Sequence, residues 1–122
     1  MKRHERDLEL ISVILDDCET LRKQLERFSS TEESFIKDRS DEGELAYDAI
    51  MSPVYRIAED ALHLSDEVGA FAPNYPWNDM RGFRNFVAHG YREVDRAVAW
   101  KVTTVSIPAL ADVLRAYVAN CM

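Results

Sequence analysis

Apolar residues recur at steps of three and four along almost the whole chain, and that spacing restricts it to helices. Between residues 8 and 28 the stripe is Leu8, Ile11, Leu15, Cys18, Leu21, Leu25 and Phe28, which is the period of an α-helix. Leu10, Val13 and Ile14 widen it, so this helix is expected to face more than one neighbour. A second seam, Tyr47, Ile50, Val54, Ile57, Ala61, Leu64 and Val68, runs without a break, as in long helices packed nearly antiparallel. No segment alternates apolar and polar residues for long enough to make a strand. The expected fold class is all-α, an up-and-down bundle of four to five helices.

Helix ends are marked by local chemistry. Ser30-Thr31-Glu32-Glu33 reads as a capping box that opens a short helix through Phe35 and Ile36. Asp41 with Glu44 repeats the signal. Pro53 falls inside the second seam. Either it bends one continuous helix by removing a hydrogen bond, or it stands first in a new helix capped by Ser52. Residues 69–76 contain Gly69, Pro73, Asn74 and Pro76 and read as a loop. Trp77 to about His89 is predicted to be helical, with Met80, Phe83, Phe86 and Val87 turned inward. Gly90 would end that helix in the left-handed conformation. Further helices are predicted over Asp95–Thr104 and Ile107–Ala119, with Pro108 in a first turn.

At 122 residues the chain is expected to be one domain, 1–122, since single cores run to about 100–200 residues. A chain of this size buries roughly two thirds of its unfolded surface and folds without a metal or a disulfide. Cys18 and Cys121 have no metal-ligand spacing and are expected to be free thiols; neither a metal nor a cofactor is indicated. There is no run of about 18 apolar residues to cross a membrane. The charged start, Met1 to Asp7, lacks the hydrophobic stretch of a signal peptide, so the expected location is the cytoplasm.

Net charge is −7, which argues against nucleic-acid binding over the whole surface. The charge is unevenly placed. Residues 1–80 hold 9 Lys/Arg against 19 Asp/Glu, a net of −10. Residues 81–101 hold Arg81, Arg84, Arg92, Arg96 and Lys101 against Glu93 and Asp95, a net of +3. Such a stretch is either a solvated helix face with internal ion pairs or a local phosphate site. The second is compatible with an acidic body, because charges beyond a Debye length of about 8 Å are screened.

Within that stretch, Arg81, Arg84 and Asn85 are spaced to share one helical face. His89 follows Asn85 by four residues, and Tyr91 lies just past the cap. Arg, an amide and His suit phosphodiester cleavage without metal. A guanidinium grips phosphate and stabilises developing charge, an imidazole transfers protons near neutral pH, and the 2′-hydroxyl of RNA supplies the nucleophile. One Arg and one His do not by themselves identify a nuclease, since a lone His at a helix end is more often a cap. Five residues apart on an ideal helix, Arg84 and His89 point about 140° away from each other. They meet at one phosphate only if the helix end unwinds or a second copy contributes across a two-fold axis. His63, beside the second seam, reads as structural.

The segment Arg84-Asn85-Phe86-Val87-Ala88-His89-Gly90-Tyr91 resembles the Arg-x4-His-x-Tyr motif of the HepT-like branch of the HEPN superfamily. Other matches occur in order along most of the chain. Phe35-Ile36-Lys37-Asp38 is similar to the family's Phe-x-x-Asp element, and Asp48-Ala49-Ile50 with Ile57-Ala58-Glu59 to its Asp-Ala-Val and Ile-Gly-Glu-Ala elements. Tyr75-Pro76-Trp77, Gly82-Phe83, Asp95, Trp100, Pro108 and Leu110 also fall in place. Two departures stand out: Ala58-Glu59-Asp60 replaces Gly-Glu-Ala, and Ser52-Pro53 interrupts a helix the family leaves whole. The resemblance implies an all-α homodimer acting as a metal-independent RNase toxin. Its partner would be a minimal nucleotidyltransferase antitoxin that transfers AMP to the motif tyrosine. By position, Arg84 and His89 would be catalytic, Asn85 and Arg81 supporting, and Tyr91 the modification site. Glu59 would either orient a motif side chain or lie on the surface. A second class of function is a non-catalytic helical module that docks a nucleotidyltransferase or binds nucleotide. A third is a purely structural bundle in which His89 only caps its helix.

Overall fold

The computed structural model describes residues 2–90 and 93–121. Helix α1 spans Lys2–Arg27, α2 Glu32–Lys37, α3 Asp41–Ala61, α4 Asp66–Phe71, α5 Trp77–Ala88, α6 Arg96–Lys101 and α7 Ile107–Asn120. Among the described residues there is no strand, and the fold is the all-α bundle that the periodicity predicts.

The core is built on the packing of α1 against α3, with α7 laid on α1 and α5 on α3. Ile11, Ile14, Ile50, Val54, Ile57, Leu110 and Leu114 are buried completely or almost so. Each aliphatic side chain buried to this degree contributes about 1.5–3 kcal/mol relative to an exposed one. The buried line of α1 runs through Ile11, Ile14 and Leu21, while Leu15 is only half-buried and Val13 faces solvent. The stripe is therefore narrower on one side than the sequence predicts.

Caps and ties set the helix ends. The capping box lies one residue on from the expected Ser30-Thr31-Glu32-Glu33, with Ser34 in place of Glu33: Thr31 and Ser34 each accept through the side chain from the other's backbone N–H, at 3.1 and 2.9 Å. The cap of α3 is Ser40, whose hydroxyl accepts from Gly43 N–H at 3.1 Å, and Asp41 is already helical. Helix α3 continues through Pro53, so the proline does not open a fresh helix. Ser52 does not cap; its hydroxyl accepts from Arg56 Nη1 at 2.8 Å. One backbone hydrogen bond is forgone at Pro53, and the buried proline ring compensates by packing in the core.

Two predicted boundaries are moved. Helix α3 stops at Ala61, and the residues Gly69–Phe71, expected in a loop, belong to α4. The buried carboxylate of Asp7 explains why the chain can start again there: it accepts from both the backbone N–H and the hydroxyl of Ser65, tying the start of α4 to α1. Val68, the end of the predicted seam, reaches the core from this separate helix. The two predicted C-terminal helices are one rod, because a π turn over Val102–Ser106 joins α6 to α7. Proline lacks an N–H and its ring presses on the carbonyl four residues earlier. Widening one turn, so that the Ile107 N–H reaches the Val102 carbonyl, relieves that clash at Pro108 without ending the helix.

The rod from Arg96 to Asn120 is long and apolar enough by composition to cross a membrane. Here Ala99, Val102, Ile107, Leu110, Leu114 and Tyr117 from it are buried in the bundle core. Arg96 is buried too. Its Nη2 donates to Glu44 at 2.7 Å and its guanidinium lies 3.7 Å from the centre of the Tyr47 ring. Its charge is thus spent inside the bundle, docking α6 on α3, and the basic surface read from residues 81–101 is smaller than expected.

Candidate active site at the end of α5

The start of α5 is fixed by two aromatic side chains. Tyr75 donates its hydroxyl to the Ser106 carbonyl in the π turn at 2.8 Å. The indole N–H of Trp77 donates to the Ala72 carbonyl at 2.9 Å. From there Met80, Phe83 and Val87, at helical spacing, bury one face of α5 where it packs on α3. Phe86, predicted to turn inward, is 73% exposed. It lies about 90° round the helix from the centre of the buried stripe, at 100° per residue, away from α3, the helix that among the described residues packs most closely on α5.

Arg84 flanks the buried stripe on its other side and meets Glu59 of α3. The guanidinium donates through Nε to Oε1 at 3.1 Å and through Nη2 to Oε1 and Oε2 at 3.0 and 3.2 Å. A two-pronged pair of this kind fixes the plane of the guanidinium. Both side chains keep 30% of their surface exposed, so the pair opens to solvent. The remaining nitrogen, Nη1, is 3.3 Å from Asn85 Oδ1. The second carboxylate oxygen of Glu59 also lies 3.4 Å from His63 Nε2. Beside it, the Asp60 carboxyl is pushed up from the usual range, first by burial and then by the charge of Asp17, against an opposing pull from His63.

His89 forms the C-cap of α5, and Gly90 follows with φ of +138°, a backbone conformation that favours glycine. The ring of His89 folds back so that Nδ1 is 2.7 Å from the Asn85 carbonyl oxygen. A carbonyl only accepts, so Nδ1 carries the proton and donates it. In the neutral ring Nε2 is therefore the basic nitrogen, and the side chain is exposed. Asn85 thus touches both predicted catalytic residues, Arg84 through its side-chain oxygen and His89 through its backbone oxygen.

The predicted site residues do not all converge. Among the described residues no hydrogen bond joins Arg84 to His89. Arg81 donates to Asn78 Oδ1 at 2.7 Å and borders a separate hollow of about 320 Å³ with Ala61, Trp77 and Met80. It does not join Arg84. Tyr91 and Arg92 lie outside the described residues. A groove of about 460 Å³ lies between α3 and the end of α5, lined by Met51, Ser52, Tyr55, Arg56, Val87 and Gly90. Among the described residues no three His, Cys, Asp or Glu side chains cluster closely enough to hold a metal ion. Sequence reading left the role of Glu59 open and treated His63 as structural. The four-residue step between them is a signal that they share a helix face; nothing local pointed Glu59 at Arg84.

The sequence model of the family described as Ribonuclease HepT-like matches residues 15–117. The chain is similar to the "Putative RNase MJ1380" of Methanocaldococcus jannaschii, with 27% identity over 62 residues. That match covers 51% of this chain and 57% of the relative, so the chain spans little more than half of the relative's length. No solved structure matches the chain.

Proposed function

The chain belongs to the HepT-like ribonuclease family, and from that premise we propose that it cleaves RNA with Arg84 and His89, without a metal ion. The observation that carries this reading is the hydrogen bond from His89 Nδ1 to the Asn85 carbonyl at 2.7 Å. It selects the tautomer whose Nε2 faces solvent as a base, one turn from a guanidinium already held in one orientation. In the reaction, Nε2 takes the proton of the RNA 2′-hydroxyl, whose oxygen attacks the adjacent phosphorus. The 5′-oxygen leaves, and the guanidinium stabilises the charge that builds on the phosphate oxygens.

Within one chain the two side chains diverge, so the working site is a cleft between two copies. One imidazole then acts as base while the other protonates the leaving oxygen. Phe86, exposed beside Asn85, is apolar surface that a second copy would cover. Control by a minimal nucleotidyltransferase antitoxin, through AMP transfer to Tyr91, and residence in the cytoplasm complete the proposal. AMP on Tyr91 would add bulk and negative charge next to His89 and repel RNA.

A second reading, a non-catalytic module that docks a nucleotidyltransferase or binds nucleotide, is favoured by one observation: the charge of Arg84 is already compensated by Glu59. Purified chain and its His89→Ala variant, incubated with mixed cellular RNA in excess chelator, separate the two. Cleavage by the wild type and none by an equally helical variant supports the nuclease. Intact RNA with both, when intact mass shows Tyr91 unmodified, supports the binding module. Sedimentation of wild type and Phe86→Ser tests the dimer; a monomeric wild type removes the two-copy cleft.

A further inference from the structure

Glu59 occupies an unusual position for a surface carboxylate, since a guanidinium and an imidazole share it. Arg84 takes both oxygens, through Nη2 at 3.0 and 3.2 Å and Nε at 3.1 Å. His63, one turn further along α3, stands 3.4 Å from Oε2. Two of the three guanidinium nitrogens are therefore committed to Glu59, while Nη1 donates to Asn85 Oδ1 at 3.3 Å and carries a second hydrogen.

We propose that Glu59 and His63 are positioning residues for the Arg84 guanidinium in the cleavage reaction proposed above. Glu59 selects Nη1 as the nitrogen presented to the scissile phosphate. His63, 3.4 Å from Oε2, holds the carboxylate turned toward Arg84.

The surrounding charges leave this arrangement intact. On α3, Arg56 is engaged by Asp17 of α1 at 3.1 Å. On α5, Arg81 is turned to Asn78. Asp7 of α1 is taken by Ser65. Arg6 and Asp66 line a hollow together with His63, and Asp60 stands next to Glu59 in the chain.

The test is steady-state cleavage of a short RNA in chelator, with urea unfolding of each variant. Glu59→Gln keeps the size and removes the charge. Its kcat is expected to fall about ten- to a hundredfold, as for a misplaced catalytic group, while KM stays level or falls. Glu59→Asp should recover part of kcat. His63→Gln should lower kcat about two- to fivefold, the range of a partly exposed ion pair, with KM level. A Glu59→Gln protein with wild-type kcat and only a lower urea midpoint overturns the inference, as does a wild-type kcat in His63→Gln. If the wild type leaves RNA intact, the ribonuclease reading fails and this inference falls with it. If the wild type cleaves and these variants match it, this inference alone fails.

Discussion

The α1–α3 seam and the end of α5 are built on opposite principles. Along the seam Ile14, Ile50, Val54 and Ile57 have no exposed surface, and many similar contacts share the work. At the end of α5, Asn85, Phe86, Ala88, His89 and Gly90 are all exposed, and individual hydrogen bonds set the geometry. The seam tolerates imprecise contacts because burial is non-directional and additive in area. The helix end depends on direction, since a ring nitrogen either faces a carbonyl or does not. Stability should therefore reside in the first region and chemistry in the second.

The largest test of that division is His89→Ala. Cleavage should fall 10²- to 10⁴-fold, the usual weight of a general acid–base group, while the urea midpoint stays near wild type. A large loss of stability instead would make His89 a structural cap. The converse is Ile50→Ala, which should destabilise by about 2–5 kcal/mol. Activity per folded molecule should not change; an activity loss beyond the unfolded fraction would show that the two regions are coupled.

Smaller substitutions sharpen the contrast. Ser40→Ala removes the cap of α3 and should lower stability by about 1 kcal/mol, without altering cleavage, as read from urea unfolding and initial rates. Asp60 offers the smallest effect. Burial raises its folded pKa above the unfolded value, so its contribution favours folding below the ordinary carboxylate range and is lost as pH rises through the folded value. Asp60→Asn should therefore raise the urea midpoint at pH 7 relative to wild type and leave no such gain at pH 3. An equal gain at both would show that charge burial is not the cause.

Much of this was legible in local spacing. The α1 and α3 seams, the Thr31 cap, the buried Met80, Phe83 and Val87, and the stop at Gly90 all follow from residues three or four apart, or from one residue's own backbone preference. The misreadings have a common cause. Phe86 has the right spacing to be buried, but burial requires a neighbour, and α3, which packs on α5, covers a different face. Arg96 counted as surface charge until Glu44 and Tyr47, about 50 residues earlier in the chain, enclosed it. Val68 continued the α3 seam on paper, yet Asp7 holds Ser65 and starts a new helix there.

The sequence by itself determined that this chain is helical, which faces of its long helices are apolar, and that Arg84, Asn85 and His89 lie on one helix ending at Gly90. Those properties depend on short-range periodicity and backbone preference. Only the tertiary structure decided that Glu59 grips Arg84 across 25 residues of sequence, that His63 shares the carboxylate, and that Arg81 turns away. Those pairings depend on how α3 and α5 are set against each other, and that is decided by the side chains packed between them.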